Sequence, residues 1–349
     1  MTATRAVKPI AISDTEIAPG SSATIDLVAG QLYTHEPIYM PVHVHHGKHA
    51  GPVLFLSAAI HGDELNGIEI VRRVLASRQV RRLRGTLIAV PIVNVLGVVH
   101  QSRYLPDRRD LNRCFPGSPK GSLAARMAHL FMDEVVAKAT HGIDLHTGAL
   151  HRSNLPQVRG RLANRKVRAM AEAFRAPAIL DSQIRDGSLR DAATERGIPV
   201  LLYEAGEALR FDETAIRIGV NGVINVMRHL GMLAQRQKPP VQSFIARSSS
   251  WMRAPASGIF RATTRLGAEV SRGDTLGIIS DPFGSEESAV KASCKGIVIG
   301  RSNLPLVHEG EALYHVARVS KPAAAAARAE KIQEQTDASA PYQQTPPIV

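Results

Sequence analysis

Apolar positions recur along this chain in two rhythms, and the switches between them mark out its elements. Residues 53–60, 86–94, 142–146 and 198–204 are almost continuously apolar, as strands buried on both faces are. Between them the apolar positions return every three or four residues. Leu65, Ile68, Val71 and Leu75 share one face of a helix predicted over 64–78. Leu123, Met127, Leu130, Phe131 and Val135 do so over 122–138, and a last helix is predicted over 212–233. Strands separated by helical segments imply an α/β fold, a mostly parallel sheet with helices on both faces. Alternation at 23–27 and 38–44 predicts two more strands, near a sheet edge because Pro41 lacks an N–H, and Pro91 argues against a regular ladder late in 86–94. The long polar stretch 101–122 reads as a functional or disordered loop.

The rhythm changes again after 235. Lys238-Pro239-Pro240 marks a linker, and beyond it short β-like runs at 258–260, 267–270, 273–279 and 296–300 are punctuated by glycine. They imply a small all-β module resembling a barrel-sandwich hybrid of the biotinyl/lipoyl type. Lys291 invites a carrier role, yet it precedes a strand and does not sit in an exposed hairpin. The expected division is an α/β catalytic domain over 1–237, an all-β domain over 241–320 and a disordered tail over 321–349, whose alanine run forms at most a frayed helix.

Composition narrows the classes. With 44% hydrophobic and 21% charged residues the chain reads as soluble, and no run approaches the roughly 18 apolar residues of a membrane span. No apolar leader follows Met1. The two cysteines, Cys114 and Cys294, lack metal-site spacing and make no disulfide framework, so a cytoplasmic setting is expected. A net charge of +12 suits nucleic acid, an anionic substrate or a basic surface. Aromatic residues are only 4%, too few for base-stacking platforms, and the arginines are scattered, so neither nucleic acid nor membrane is expected as partner. The charge is read as solvated surface, part of it steering small carboxylates.

Candidate chemistry lies where the apolar runs end. Ile60-His61-Gly62-Asp63-Glu64 follows the run beginning at 53, and an H-x-x-E pair at a strand-to-helix turn can converge on one ion. A catalytic zinc takes three protein ligands and keeps one position open. His146, ending Gly142-Ile143-Asp144-Leu145-His146, is the candidate third. The bland alternative is an ordinary helix N-terminus, where Asp63 or Glu64 is favoured by capping and by the dipole. His43, His45, His46 and His49 form a second cluster, read as a polar strand face running into a turn.

These residues resemble the succinylglutamate desuccinylase/aspartoacylase family of zinc deacylases, which share the zinc carboxypeptidase fold. The resemblance rests on His61-Gly62-Asp63-Glu64, Asn94, Arg103-Tyr104, Asp110-Leu111-Asn112-Arg113, Asp144-Leu145-His146-Thr147-Gly148 and Glu204, in the family's order. It implies one zinc per chain on His61, Glu64 and His146, with Glu204 as general base and Glu207 as the alternative. It further implies that Arg103 polarises the carbonyl and that Asn112 and Arg113 bind a substrate carboxylate. The segment 105–109 makes this loop longer than in animal aspartoacylases, which bears most on Arg103. Asp144, on the strand face of His146, is expected to orient a ligand or touch the substrate. The implied activity is hydrolysis of a small anionic N-acyl amino acid. The rivals are a carboxypeptidase on small peptides, a zinc-containing binding protein without turnover and a basic nucleic-acid binder. A homo-oligomer is left open.

Overall fold

The structure, a computed structural model, describes residues 7–235 and 243–338. A small hairpin of β1 (Ile10–Ile12) and β2 (Thr15–Ile17) precedes the antiparallel pair β3 (Ser22–Gln31) and β4 (Pro37–His46). Then follow β5 (Val53–Ala58), α1 (Asn66–Ala76), β6 (Thr86–Val90), the single turn α2 (Val95–Val99), α3 (Leu123–Glu134) and β7 (His141–His146). The α/β part continues with β8 (Arg152–Gly160), α4 (Arg165–Phe174), β9 (Ala178–Asp181), α5 (Leu189–Glu195), β10 (Val200–Gly206) and α6 (Glu213–His229).

The four near-continuous apolar runs are the centre of one large sheet. β6, β5, β7 and β10 lie side by side and parallel, and every residue of β6 is buried. β4 and β3 add antiparallel strands beyond β6, and β8 adds one beyond β10 before β9 runs parallel to it. One face packs against α1, α4 and α6 through Val71, Phe174 and Met227. The other packs against α3 and α5 through Phe131 and Ala192. β6 stops at Val90, immediately before Pro91, as a missing N–H requires.

Of the helices of the α/β part, α1 departs from expectation. α1 begins at Asn66 and not at 64, and buries Gly67, Ile70, Val71 and Val74 while Leu65, Ile68 and Leu75 are only half-buried. Residues 61–64 are held in a turn, so the helix starts later and its inward face rotates. Gly67 permits the close seat: a Cβ there would lie 2.7 Å from the Cβ of Ala58. α6 starts where its cap predicts, the Asp212 side chain accepting the Ala215 N–H.

The C-terminal part is all-β and glycine-punctuated as expected. It comprises β11 (Phe244–Ala246), β12 (Ser248–Arg253), β13 (Gly258–Ala262), β14 (Glu269–Val270), β15 (Thr275–Ser280), β16 (Glu287–Lys291), β17 (Gly296–Ser302), β18 (Leu306–Val307) and β19 (Ala312–Arg318). β16, β15, β13 and β18 form an antiparallel sheet, while β17 pairs with β8 and β11 with β9, so the large sheet runs on into this module. The linker expected around 238–240 lies outside the described residues.

The disordered tail expected over 321–349 is corrected over its first half. α7 spans Pro322–Ala338, and Ala325, Ala329 and Ile332 are buried. Ala325 and Ala329 pack with Ile297 and Ala317, and Ile332 joins the core beside α6. Alanine is the strongest helix former, and spacings of four and three put these side chains on one face. The Gln/Pro-rich end lies outside the described residues. No helix among the described residues is long and apolar enough to cross a membrane.

Candidate metal centre

The turn after β5 is clamped before it presents anything. Ala59 adopts φ +51°, and Asn94, capping α2, donates to the Ile60 carbonyl at 3.2 Å while accepting the Gly97 N–H at 2.8 Å. Gly62 donates to the Ser102 carbonyl at 3.0 Å, and a Cβ on it would stand 1.9 Å from the Gly97 carbonyl carbon. This contact permits only glycine. With backbone groups satisfied on the α2 side, His61 and Glu64 turn inward, 4% and 3% exposed.

β7 runs parallel to β5, with Leu145 opposite Ala58, so its next residue, His146, emerges beside that turn. His61 Nδ1 lies 2.6 Å from Glu64 Oε1 and His146 Nδ1 2.7 Å from Glu64 Oε2. Their other nitrogens face carboxylates too: His61 Nε2 is 3.1 Å from Asp110 Oδ1 and His146 Nε2 is 2.7 Å from Asp144 Oδ2. Burial by itself lowers both imidazole pKa values, but Glu64 with Asp110, and Asp144 with Glu64, outweigh it and hold them above the usual value. The two imidazoles in turn hold the Glu64 carboxyl far below the carboxylate range despite its burial.

Asp144, expected to touch a ligand or the substrate, is 2% exposed and committed on both oxygens, to His146 and to the Ser57 hydroxyl at 2.7 Å. Of the two expected roles, these contacts are those of a carboxylate that orients a histidine. Glu204 lies near the end of β10 in register with His146, so its side chain rises from the same face one strand away. It is held by Asn154 Nδ2 at 2.6 Å and Arg159 Nη1 at 2.9 Å. Glu207 points elsewhere, to Ser153 and Asn303.

The profile of the succinylglutamate desuccinylase/aspartoacylase catalytic domain matches residues 50–230. The chain belongs to this family. Its members hydrolyse carbon–nitrogen bonds of amides, and the chain is accordingly a hydrolase of that class. The N-alpha-acetyl-L-2,4-diaminobutyric acid deacetylase of Halomonas elongata is 27% identical over 283 residues, 77% of this chain and 83% of that protein. A succinylglutamate desuccinylase/aspartoacylase from Rhodobacter sphaeroides superposes with TM-score 0.72 at 27% identity, covering 82% of this chain and 91% of that one. The product-bound ectoine utilization protein EutE (DoeB) of Ruegeria pomeroyi superposes with TM-score 0.78 at 24% identity, covering 85% and 95%.

Within the family's motifs, three more residues lie on the loop that carries Asp110. Arg103 lies 2.9 Å from Asp110 and 3.3 Å from Glu64. Asn112 accepts the Leu189 N–H at 2.9 Å, tying the loop to the start of α5. Arg113 is exposed and donates to the Asn112 carbonyl.

The donor set fits a metal ion. One ligand atom from each of His61, Glu64 and His146 lies within 4.8 Å of the others, and it is the one such buried group found among the described residues. Each imidazole has a carboxylate on either side, the arrangement in which one nitrogen donates to an outer carboxylate and frees the other for a cation. The second histidine cluster makes no such group: His43 bonds Thr24, and His46 bonds Thr86 and the Lys8 carbonyl.

Sequence reading missed the partners. Asp110 was visible in the Asp-Leu-Asn-Arg motif without its contact to His61. Asn154, Arg159 and Arg190 carry no motif; the only signal was charge within β8 and on an otherwise apolar helix face. Arg190 is buried on α5, donating to Ser182 Oγ and the Gln183 carbonyl, and its Nε and that of Arg159 find no partner. Burial and the neighbouring Arg159 guanidinium pull the Arg190 pKa down to about 10.

Proposed function

We propose that the chain is a zinc-dependent deacylase that hydrolyses the amide bond of a small anionic N-acyl amino acid. The observation that carries this is the convergence of His61 Nδ1, His146 Nδ1 and the Glu64 carboxylate, each imidazole braced from behind by an aspartate. Two nitrogens and a carboxylate suit zinc and leave a position open. Bound there, the ion would supply Lewis-acid polarisation of the acyl carbonyl and acidification of a water.

The chain's own residues do the rest. Glu204 accepts the proton of the attacking water as the new C–O bond forms, then delivers it to nitrogen as the C–N bond breaks, releasing a carboxylate and an amine. Asn154 and Arg159 hold both its oxygens, which limits its rotamers. Arg103, partly buried beside Glu64, donates to the oxygen that gains charge. Asn112 is oriented by Leu189 so that its NH2 end is left for a substrate carboxylate, with Arg113 at the outer edge. Two guanidiniums whose buried Nε atoms lack a partner, on Arg159 and Arg190, favour an anion in this site over a neutral ligand. The deacetylase named above, an N-acyl amino acid hydrolase by its name, supports the same substrate class. We read the enzyme as cytoplasmic, in keeping with two free thiols, Cys114 and Cys294.

The test is metal content and turnover together, on N-acetyl and N-succinyl amino acids and dipeptides. Wild type and Glu204→Gln should each bind about one zinc per chain, with kcat lower in the variant by about 10²-fold or more. Zinc-free active protein, or a fully active variant, would overturn the assignment.

A further inference from the structure

Glu204 stands on β10, but the side chain that holds its Oε1 comes from β8, and β8 is backed by the C-terminal module. Gln157 lies opposite Glu204 across the β8–β10 pair and shares its face of the sheet. Asn154 is three residues from Gln157, so on a regular strand it would point to the other face. The register shifts between Glu204 and Gly206, and the next pair is Gly206 with Asn154. Pro156, with no N–H to give the ladder, lies within the shifted stretch. A slip of one residue exchanges the two faces, and it turns the Asn154 amide round to Glu204, whose Oε1 it meets at 2.6 Å.

On the far side of Asn154 lies β17. Three cross-strand pairs, Gly300 with Asn154, Arg301 with Ser153 and Ser302 with Arg152, dock the module on β8. Asn303 closes the joint. Its N–H donates to the His151 carbonyl at 2.7 Å, and its Nδ2 donates to Ser153 Oγ at 2.6 Å and to Glu207 Oε2 at 2.8 Å. Buried Glu207 thereby ties the turn after β10 to the strand that carries Asn154. Beside this joint the two parts stand apart across a cleft of about 570 Å³, with Ser153 and Glu207 on one wall and Phe260 and Arg301 on the other.

Gly300 is where the docked module reaches the base. Its φ is not among the positive ones, so backbone conformation does not call for glycine here. Space does. A Cβ at 300 would lie 2.8 Å from Asn154 Oδ1, closer than Cβ contacts come, and 3.1 Å from the Cβ of His315, which faces Gly300 from β19. The atom that must give way is the end of the Asn154 side chain, and the nitrogen of that same amide is the one on Glu204.

We infer that Gly300 is a positioning residue for the reaction: lacking a side chain, it lets the C-terminal module pack against Asn154 without displacing the amide from Glu204. This rests on the reading of Glu204 as general base and deepens it. The module is then the rear support of the base, and Gly300 acts on Glu204 through Asn154 alone.

The experiment compares zinc-loaded wild type, Gly300→Ala, Asn154→Ala and the double variant on the best substrate of the panel above. In each single variant kcat should fall about tenfold, with KM within about twofold of wild type and about one zinc per chain still bound. The double variant should be no slower than Asn154→Ala alone, because Gly300→Ala then has no amide left to displace. Losses that add in the double variant, or that fall on KM, overturn the inference and leave Glu204 as the base. So does a wild-type kcat in Asn154→Ala, a result that counts even if Gly300→Ala does not fold. Full activity in Glu204→Gln, or no turnover by wild type on the whole panel, removes the base assignment and this inference with it.

Discussion

Oδ2 of Asp144 stands 2.7 Å from Nε2 of His146, and its other oxygen accepts the Ser57 hydroxyl at the same distance. The carboxylate thereby fixes the ring so that Nδ1 faces Glu64. Asp144→Asn keeps the shape but loses the charge behind the ring. Zinc affinity should fall by about 10- to 100-fold, measured by competition with a chromophoric chelator. Unchanged affinity would reduce Asp144 to a structural hydrogen-bond partner.

Metal should also govern stability. Glu64 lies between two imidazoles that each carry a second carboxylate, a buried set that an ion would complete. Chelated protein should unfold at lower temperature, and zinc at about 1,000 times its Kd should restore about 4 kcal/mol, read as a rise of several degrees in Tm. A melting temperature indifferent to both chelator and zinc counts against the site.

Gly62 offers a test of how the turn is built. The Cβ of Gly62→Ala would press on the Gly97 carbonyl at 1.9 Å, backbone against backbone. The turn or α2 must move, at a cost of about 3 kcal/mol or more, with zinc binding impaired alongside. Denaturant unfolding and zinc titration of the variant check both, and a protein with wild-type values in each would show that the clamp is dispensable.

His315 links the C-terminal module to pH. It lies stacked on Trp251, ring centroids 4.4 Å apart, with Nδ1 unpartnered. Burial, then the charges of Arg159 and Arg152, push its pKa down to about 3 from 6.5. In the unfolded chain it takes up a proton below about pH 6.5, in the folded protein only near 3. Its stabilising contribution is therefore complete above 6.5 and declines as pH falls toward 3, by about 2 kcal/mol at pH 5. Comparing unfolding at pH 7.5 and pH 5 for wild type and His315→Gln, followed by fluorescence of Trp251, the single tryptophan, should show a smaller loss in the variant. Parallel slopes would assign the acid sensitivity elsewhere.

The candidate ligand triplet was legible because His61 and His146 close apolar runs and Glu64 lies three residues beyond His61. Strand ends can be read from local pattern, and Gly62 and Gly148 beside the histidines mark the turns. The partners were not legible. Asp110 meets His61 across 49 residues, and Asn154 and Arg159 reach Glu204 only through the antiparallel register of β8 on β10. A polar residue on a strand has one local signature whether it faces solvent, an ion or a base. The α1 face was misjudged for a related reason. Leu65 and Ile68 fit the helical period, but the turn at 61–64 delays the helix and Gly67 brings another side of it to the sheet. The alanine run after 321 signalled helix, while the apolar cluster that Ala325 and Ala329 join is assembled from β8, β9, β11, β17 and β19, most of them distant in sequence.

By itself the sequence determined the apolar strands, the H-G-D-E turn and the third candidate ligand, His146, since backbone period and turn chemistry act over a few residues. Tertiary structure alone decided that Asp144 hydrogen-bonds His146 and Ser57, that Glu204 is in register with His146 while Glu207 meets Ser153 and Asn303, and that the C-terminal module closes one wall of a cleft. Those outcomes depend on strand register and on which buried charges find partners. Both are settled by the packing of the whole sheet, which no local window of residues contains.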